Sequence, residues 1–205
     1  MIRIRTVGYV QFHEDCGRLW DSIVQKCSPA MVVGIRSGGW WVAKEMMAAR
    51  SSPGATFLPL TCRRPGTATK ERSRLFRGLV RILPYVVLDG LRRLEYYFVT
   101  LPRCRSAQDT GRHKTSVLEP AELTAIRAAA AELPPEACVL VVDDSLDSGA
   151  TLWNVISALR SVLPTDVAMF TAAFTVLGPA PIVAADFSLY RRINCRFPWS
   201  FDFHG

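Results

Sequence analysis

Residues 137 to 142, Ala-Cys-Val-Leu-Val-Val, form an uninterrupted apolar run that few folds can accommodate. A strand with no polar alternation must have both faces covered, as in a parallel sheet with helices on each side. The flanking sequence repeats this arrangement. Met31–Ile35 is a second short apolar run; it stops at Arg36-Ser37-Gly38-Gly39, and helical periodicity follows over 40–50. Thr56–Leu60 reads as a strand whose Pro59 places it at a sheet edge or a strand end. Cys16, Leu19, Trp20, Ile23 and Val24 recur at helical spacing, which predicts an amphipathic helix over 14–27 stopped by Ser28-Pro29. Pro120 opens and Pro134-Pro135 closes a helix over 120–133. A further helix is expected over 152–163 and a further strand over 167–175. This alternation predicts an α/β fold with a doubly wound, mainly parallel sheet that binds its ligands at the carboxyl ends of the strands.

The 205 residues suit a single domain, 1–205, carrying an insertion or hood at about 63–118. Neither a secretory h-region nor an apolar stretch of bilayer length is visible, so the expected location is cytoplasmic, or peripheral at a membrane. Six cysteines, none in a CxxC pair, argue against a zinc cage and for buried reduced thiols. The net charge of +7 is local: residues 62–115 carry thirteen cations and four acids, and the remainder is close to neutral. Any anionic partner would meet the chain there.

The segment from Val139 to Leu152 carries the chemistry. Its strand delivers Asp143 and Asp144 to the sheet edge, and Asp147-Ser148-Gly149-Ala150-Thr151 then turns into a helix. Successive N–H groups and two hydroxyls at a helix N-terminus suit a phosphate monoester. The paired carboxylates would repel a phosphate, so they should face hydroxyls or a metal. A diol beside a phosphate nest describes a ribose 5-phosphate.

This string resembles the 5-phosphoribosyl-1-pyrophosphate (PRPP) signature of type I phosphoribosyltransferases: an apolar strand, Asp-Asp, two residues, Asp-Thr-Gly, one residue and Thr. Ser148 stands where threonine is usual. The resemblance implies that Asp143 and Asp144 hold the ribose hydroxyls and, indirectly through PRPP, the metal. Residues 147–151 would hold the 5-phosphate, with Asp147 near the anomeric centre as a catalytic base. Gly34-Ile35-Arg36-Ser37-Gly38-Gly39 is similar to the family's pyrophosphate loop, with the arginine displaced by one position; Arg36, Ser37, Gly38 and Gly39 would bind pyrophosphate. Val10–Glu14 and Arg196–Trp199 resemble bacterial xanthine–guanine phosphoribosyltransferases. The likeness covers 7–62 and 136–203, leaving the basic middle unmatched.

The family's activity is pentosyl transfer, a glycosyltransferase reaction: with Mg2+, a nucleophile such as a nitrogenous base or other small acceptor displaces pyrophosphate from PRPP. Two purine-reading features of the family differ here. The stacking aromatic is replaced by Asn194, and the lysine after the signature by Thr175 or a near neighbour. Trp199, Tyr190 or Phe197 remain for stacking, or belong to the core. Residues 75–101 read as two short amphipathic helices broken at Pro84 and Gly90. They form either a hood or homodimer contact, a surface for anionic lipid or a lipid-linked acceptor, or a site for RNA. Residues 103–116 or 63–74 are candidates for a mobile active-site loop, with Arg112, His113 and Lys114 as weaker site residues. A PRPP-sensing regulator or RNA-binding protein on the same fold is the alternative to an enzyme.

Overall fold

The computed structural model describes residues 1–36, 38–50, 54–62, 83–102 and 118–204. In chain order the elements are β1 (Arg3–Thr6), α1 (Tyr9–Val24), β2 (Pro29–Arg36), α2 (Gly38–Ala49), β3 (Thr56–Thr61) and α3 (Tyr85–Glu95), which runs into a π-helical turn at Tyr96–Thr100. They continue with α4 (Pro120–Ala131), β4 (Cys138–Leu146), α5 (Ala150–Arg160), β5 (Ala168–Val176), β6 (Phe187–Arg191) and β7 (Ile193–Arg196).

The apolar run identified in the sequence is the central strand. β4 lies in the middle of a five-stranded sheet of order β3-β2-β4-β5-β6, and every pairing in it is parallel. Its side chains alternate between two cores. Val139 and Val141 enter one with Ile126 of α4 and Leu152, Val155 and Leu159 of α5; Leu140 and Val142 enter the other with Leu19 and Ile23 of α1 and Val42 and Met46 of α2. Each such side chain is fully removed from water, a contribution of about 1.5–3 kcal/mol apiece. The expected doubly wound sheet is thus observed.

β3 pairs with β2 alone and puts Pro59 opposite Gly34, so the strand with no N–H at that position lies on the edge, where none is needed. β1 and β7 form a separate parallel pair, registering Thr6 with Arg196. α1 begins at Tyr9, earlier than its clearest periodicity suggests, because Phe12 is also buried. α3 differs from expectation too: it continues through Gly90 as one helix, although an interior glycine costs about 0.5–1 kcal/mol. Its docking against the C-terminal segment, described below, offsets that cost. The other helix expected in 75–101 falls on residues outside those described.

Candidate functional site

β2 and β4 are neighbours, so the ends of both sequence motifs emerge side by side at one edge of the sheet. Asp143 is buried, still paired in register with Ala173, and its Oδ1 accepts the Asp144 N–H at 2.9 Å. Asp144 is half-buried. The first turn of α2 packs directly onto this pair. A Cβ at Gly38 would overlap the Asp144 carboxylate; one at Gly39 would overlap the Val142 carbonyl and sit 2.7 Å from the Asp143 Cα. Only glycines let the two backbones approach this closely.

After β4 the chain turns through Asp147 and Ser148, both half-buried, to Gly149, which has φ +80° and caps α5. Glycine adopts this left-handed conformation without the penalty of a Cβ, which here would also lie 3.0 Å from the Val183 nitrogen. The Ser148 hydroxyl accepts the Ala150 N–H at 3.4 Å, and its carbonyl accepts the Ile182 N–H at 2.9 Å. The first intrahelical bond runs from Trp153 N–H to the Gly149 carbonyl. The amides of Ala150, Thr151 and Leu152 therefore lie in the first turn of α5, at the positive end of the helix dipole that favours an anion. Thr151 is buried in that turn.

Arg36 is exposed at the end of β2, beside Thr61; Ser37 lies outside the described residues. The proposed acceptor residues separate into two groups. Thr175 is fully buried at the end of β5, next to Ser145, and its hydroxyl donates to the Ile193 carbonyl at 2.6 Å. Asn194 follows, its Oδ1 accepting from Arg92 at 2.9 Å. Trp199 lies elsewhere, against α1 and α2: it stacks on Phe197 at 4.6 Å and on Trp41 at 6.2 Å, and meets Phe12 edge-on. Tyr190 donates to the buried Asp15 at 2.7 Å, and burial together with that bond pushes its hydroxyl up to about 12. Arg112, His113 and Lys114 are outside the described residues.

Sequence reasoning missed an ionic cluster at this end of the sheet. Arg92 of α3 grips both oxygens of Asp202 at 2.7 Å and also donates to the Cys195 carbonyl. Arg196, only 1% exposed, donates to Asp202 at 3.0 Å, Asp89 at 2.7 Å and the Thr6 hydroxyl at 2.6 Å, and lies over the Tyr85 ring. Burial alone would raise the Asp202 carboxyl, but the two guanidinium groups more than offset it and hold it below its ordinary value. Tyr96 completes the attachment: its hydroxyl donates to the carbonyl of Leu177, whose own N–H bonds Leu146, the residue before Asp147. Alternating charge in 85–96 was visible in the sequence, but the partners lie about a hundred residues away.

Among the described residues the cysteines are buried or half-buried thiols, and burial pushes Cys138 and Cys195 up to about 12, away from nucleophilic thiolates. No group of three or more His, Cys, Asp or Glu among them could cage a metal, and no described helix is long and apolar enough to cross a membrane.

No protein-family model matches the sequence, and no relative is found among curated proteins. Solved structures do match. A purine phosphoribosyltransferase from Pyrococcus horikoshii superposes with a TM-score of 0.56 at 15% identity, over 96% of this chain and 94% of that one. Xanthine-guanine-hypoxanthine phosphoribosyltransferase from Helicobacter pylori gives 0.55 at 14% identity, over 98% and 95%. A hypothetical protein from Neisseria gonorrhoeae with bound ppGpp gives 0.51 at 14%, over 97% and 90%. With the doubly wound parallel sheet and the strand–turn–helix that carries Asp143 to Thr151, these likenesses identify the fold as that of the type I phosphoribosyltransferases.

Proposed function

We propose that the chain is a magnesium-dependent phosphoribosyltransferase that displaces pyrophosphate from PRPP onto a nitrogenous base or other small acceptor. The observation that carries this reading is the contact of Gly38 and Gly39 with Asp143 and Asp144. It joins a candidate pyrophosphate loop to a candidate ribose site, with the N-terminus of α5 next in line for the 5-phosphate.

In this reading Asp143 and Asp144 orient the ribose through its hydroxyls, and the amides and hydroxyls of 148–151 hold the 5-phosphate. Arg36 and the 37–39 turn receive the leaving group. The bond from C1 to the pyrophosphate oxygen breaks as the bond from C1 to the acceptor forms, and Asp147 takes the acceptor's proton. The carboxylates fit magnesium as hard oxygen donors, since this ion is commonly held by one or two carboxylates and keeps waters and substrate oxygens in its shell. When bound, magnesium supplies neutralisation of the departing pyrophosphate. The acceleration assigned to the protein is positioning and fixed dipoles.

Asn194 held by Arg92, with Thr175 bonded to Ile193, offers no aromatic face for a purine at those positions, which favours a small polar acceptor over a stacked purine. A second reading, a regulator that senses PRPP or a related phosphorylated ligand without turning it over, draws support from the ppGpp bound by the N. gonorrhoeae protein of the same fold. The deciding experiment measures PRPP affinity by calorimetry and pyrophosphate release with a panel of bases and small amines. Transfer predicts release that needs one acceptor class and magnesium, with binding weakened in Asp143→Asn and turnover lost in Asp147→Asn. Tight PRPP binding without release under any condition would leave the sensor, and no PRPP binding at all would overturn both readings.

A further inference from the structure

α3 is mounted inside out. In a water-facing helix the apolar side turns to the protein and the charged side to solvent. Here Asp89 and Arg92 turn inward to Arg196 and Asp202, alongside buried Leu88 and Tyr96. The outward side carries Val86, Val87, Leu91, Leu94, Tyr97 and Phe98, each between 41% and 83% exposed. Residues 87, 91, 94 and 98 recur at helical spacing, and at 100° per residue all six fall within one arc of about 140° that holds no charge. The π-helical turn keeps Tyr96 inward on Leu177 while Phe98 remains outward; Tyr97 sits at the edge of the face, its ring part-exposed and its hydroxyl accepting the Ile2 N–H at 3.2 Å.

Such an inversion suits a helix whose outer neighbour is hydrocarbon. The 11 residues of α3 and the 5 of the turn are too few to span a bilayer, so the helix would lie in the plane of the interface. The charge of the surrounding sequence selects the partner. Residues 62–115 carry a cation excess of nine, with Arg77 and Arg81 before the helix and Arg103 and Arg105 after it. A second copy would bring the same cations together, whereas an anionic headgroup layer attracts them. We propose that the outward face of α3 and the π-helical turn is an interfacial anchor that seats the protein on an anionic lipid bilayer. This does not depend on the phosphoribosyl reading.

The full chain is tested by flotation with phosphatidylcholine vesicles and with vesicles of phosphatidylcholine and phosphatidylglycerol in equal parts. It should float with the anionic vesicles and be released by salt. The Leu91→Ser/Leu94→Ser variant removes apolar contact without adding charge, and should partition about tenfold or more weakly at unchanged thermal stability. The proposal is overturned if the wild-type chain stays unbound, or if the variant floats equally well. A variant with a lowered Tm would show instead that the face is covered by this chain's own residues. A wild-type dimer in sedimentation equilibrium that the variant dissociates would name a second copy as the occupant.

Discussion

The Asp144 carboxylate fills the space that a side chain at position 38 would need, so the absent Cβ of Gly38 and the presence of Asp144 are two halves of one packing solution. Residues 106 positions apart in the sequence thereby constrain each other. Gly38→Ala must push the carboxylate aside or shift the start of α2, an overpacking cost of about 1–3 kcal/mol. Because that displacement falls on a proposed ribose ligand, PRPP affinity should drop by about tenfold or more, measured by calorimetry. Unchanged affinity would remove Asp144 from the binding site.

Gly90 supplies the opposite case. Nothing lies within 4 Å of a Cβ built there, and the residue is interior to α3. Gly90→Ala should stabilise the chain by about 0.5–1 kcal/mol in urea denaturation, because the unfolded backbone loses freedom and the helix gains propensity. Destabilisation would mean that the outward face of α3 is tightly covered at that point.

Asp202 holds two arginines, one of them fully buried. Asp202→Ala leaves Arg196 with Asp89 and the Thr6 hydroxyl, and Arg92 without its bidentate partner, and a broken buried pair costs about 3–5 kcal/mol. Equilibrium denaturation should show a loss of that order. A cost below about 1 kcal/mol would place the cluster in the class of surface ion pairs.

The pH dependence of stability should have two limbs with different owners. Asp202 titrates below its ordinary value in the folded chain, so its contribution is present above the unfolded carboxylate value of about 4 and is lost as pH falls through the lower folded value. Tyr190 is raised to about 12, so its contribution is whole below the unfolded value of about 10 and is lost as pH rises toward 12. Thermal denaturation across pH should show Asp202→Asn reducing the acid limb, and Tyr190→Phe reducing the alkaline limb without abolishing it, because the buried Cys138 and Cys195 thiols, also raised to about 12, contribute there as well.

The central architecture was legible because burial on two faces leaves a one-dimensional trace: Val139–Val142 has no polar position, and the five strands of the main sheet include each run read in this way. The candidate phosphate turn was legible because a helix N-terminus at Ala150 needs small residues and a left-handed glycine in a fixed order. β1 and β7 left no such trace. Arg3–Thr6 and Ile193–Arg196 are four residues each, half polar or more, and they form only against each other. α3 was legible as an amphipathic helix, yet periodicity reports that two faces differ without reporting which one meets the protein. That depended on Asp202 and Arg196, over a hundred residues away in the chain.

The pairing of β1 with β7 imposes an order of assembly on a chain made from its N-terminus. Strands β2 to β5 need nothing beyond residue 176 for their mutual pairing. Arg3–Thr6 must wait, unpaired, until Ile193–Arg196 has been synthesised, and the partner of Arg92, Asp202, arrives later still. During that interval α3 lacks its ionic anchor, so Arg196 and Asp202 complete the choice of which way that helix faces.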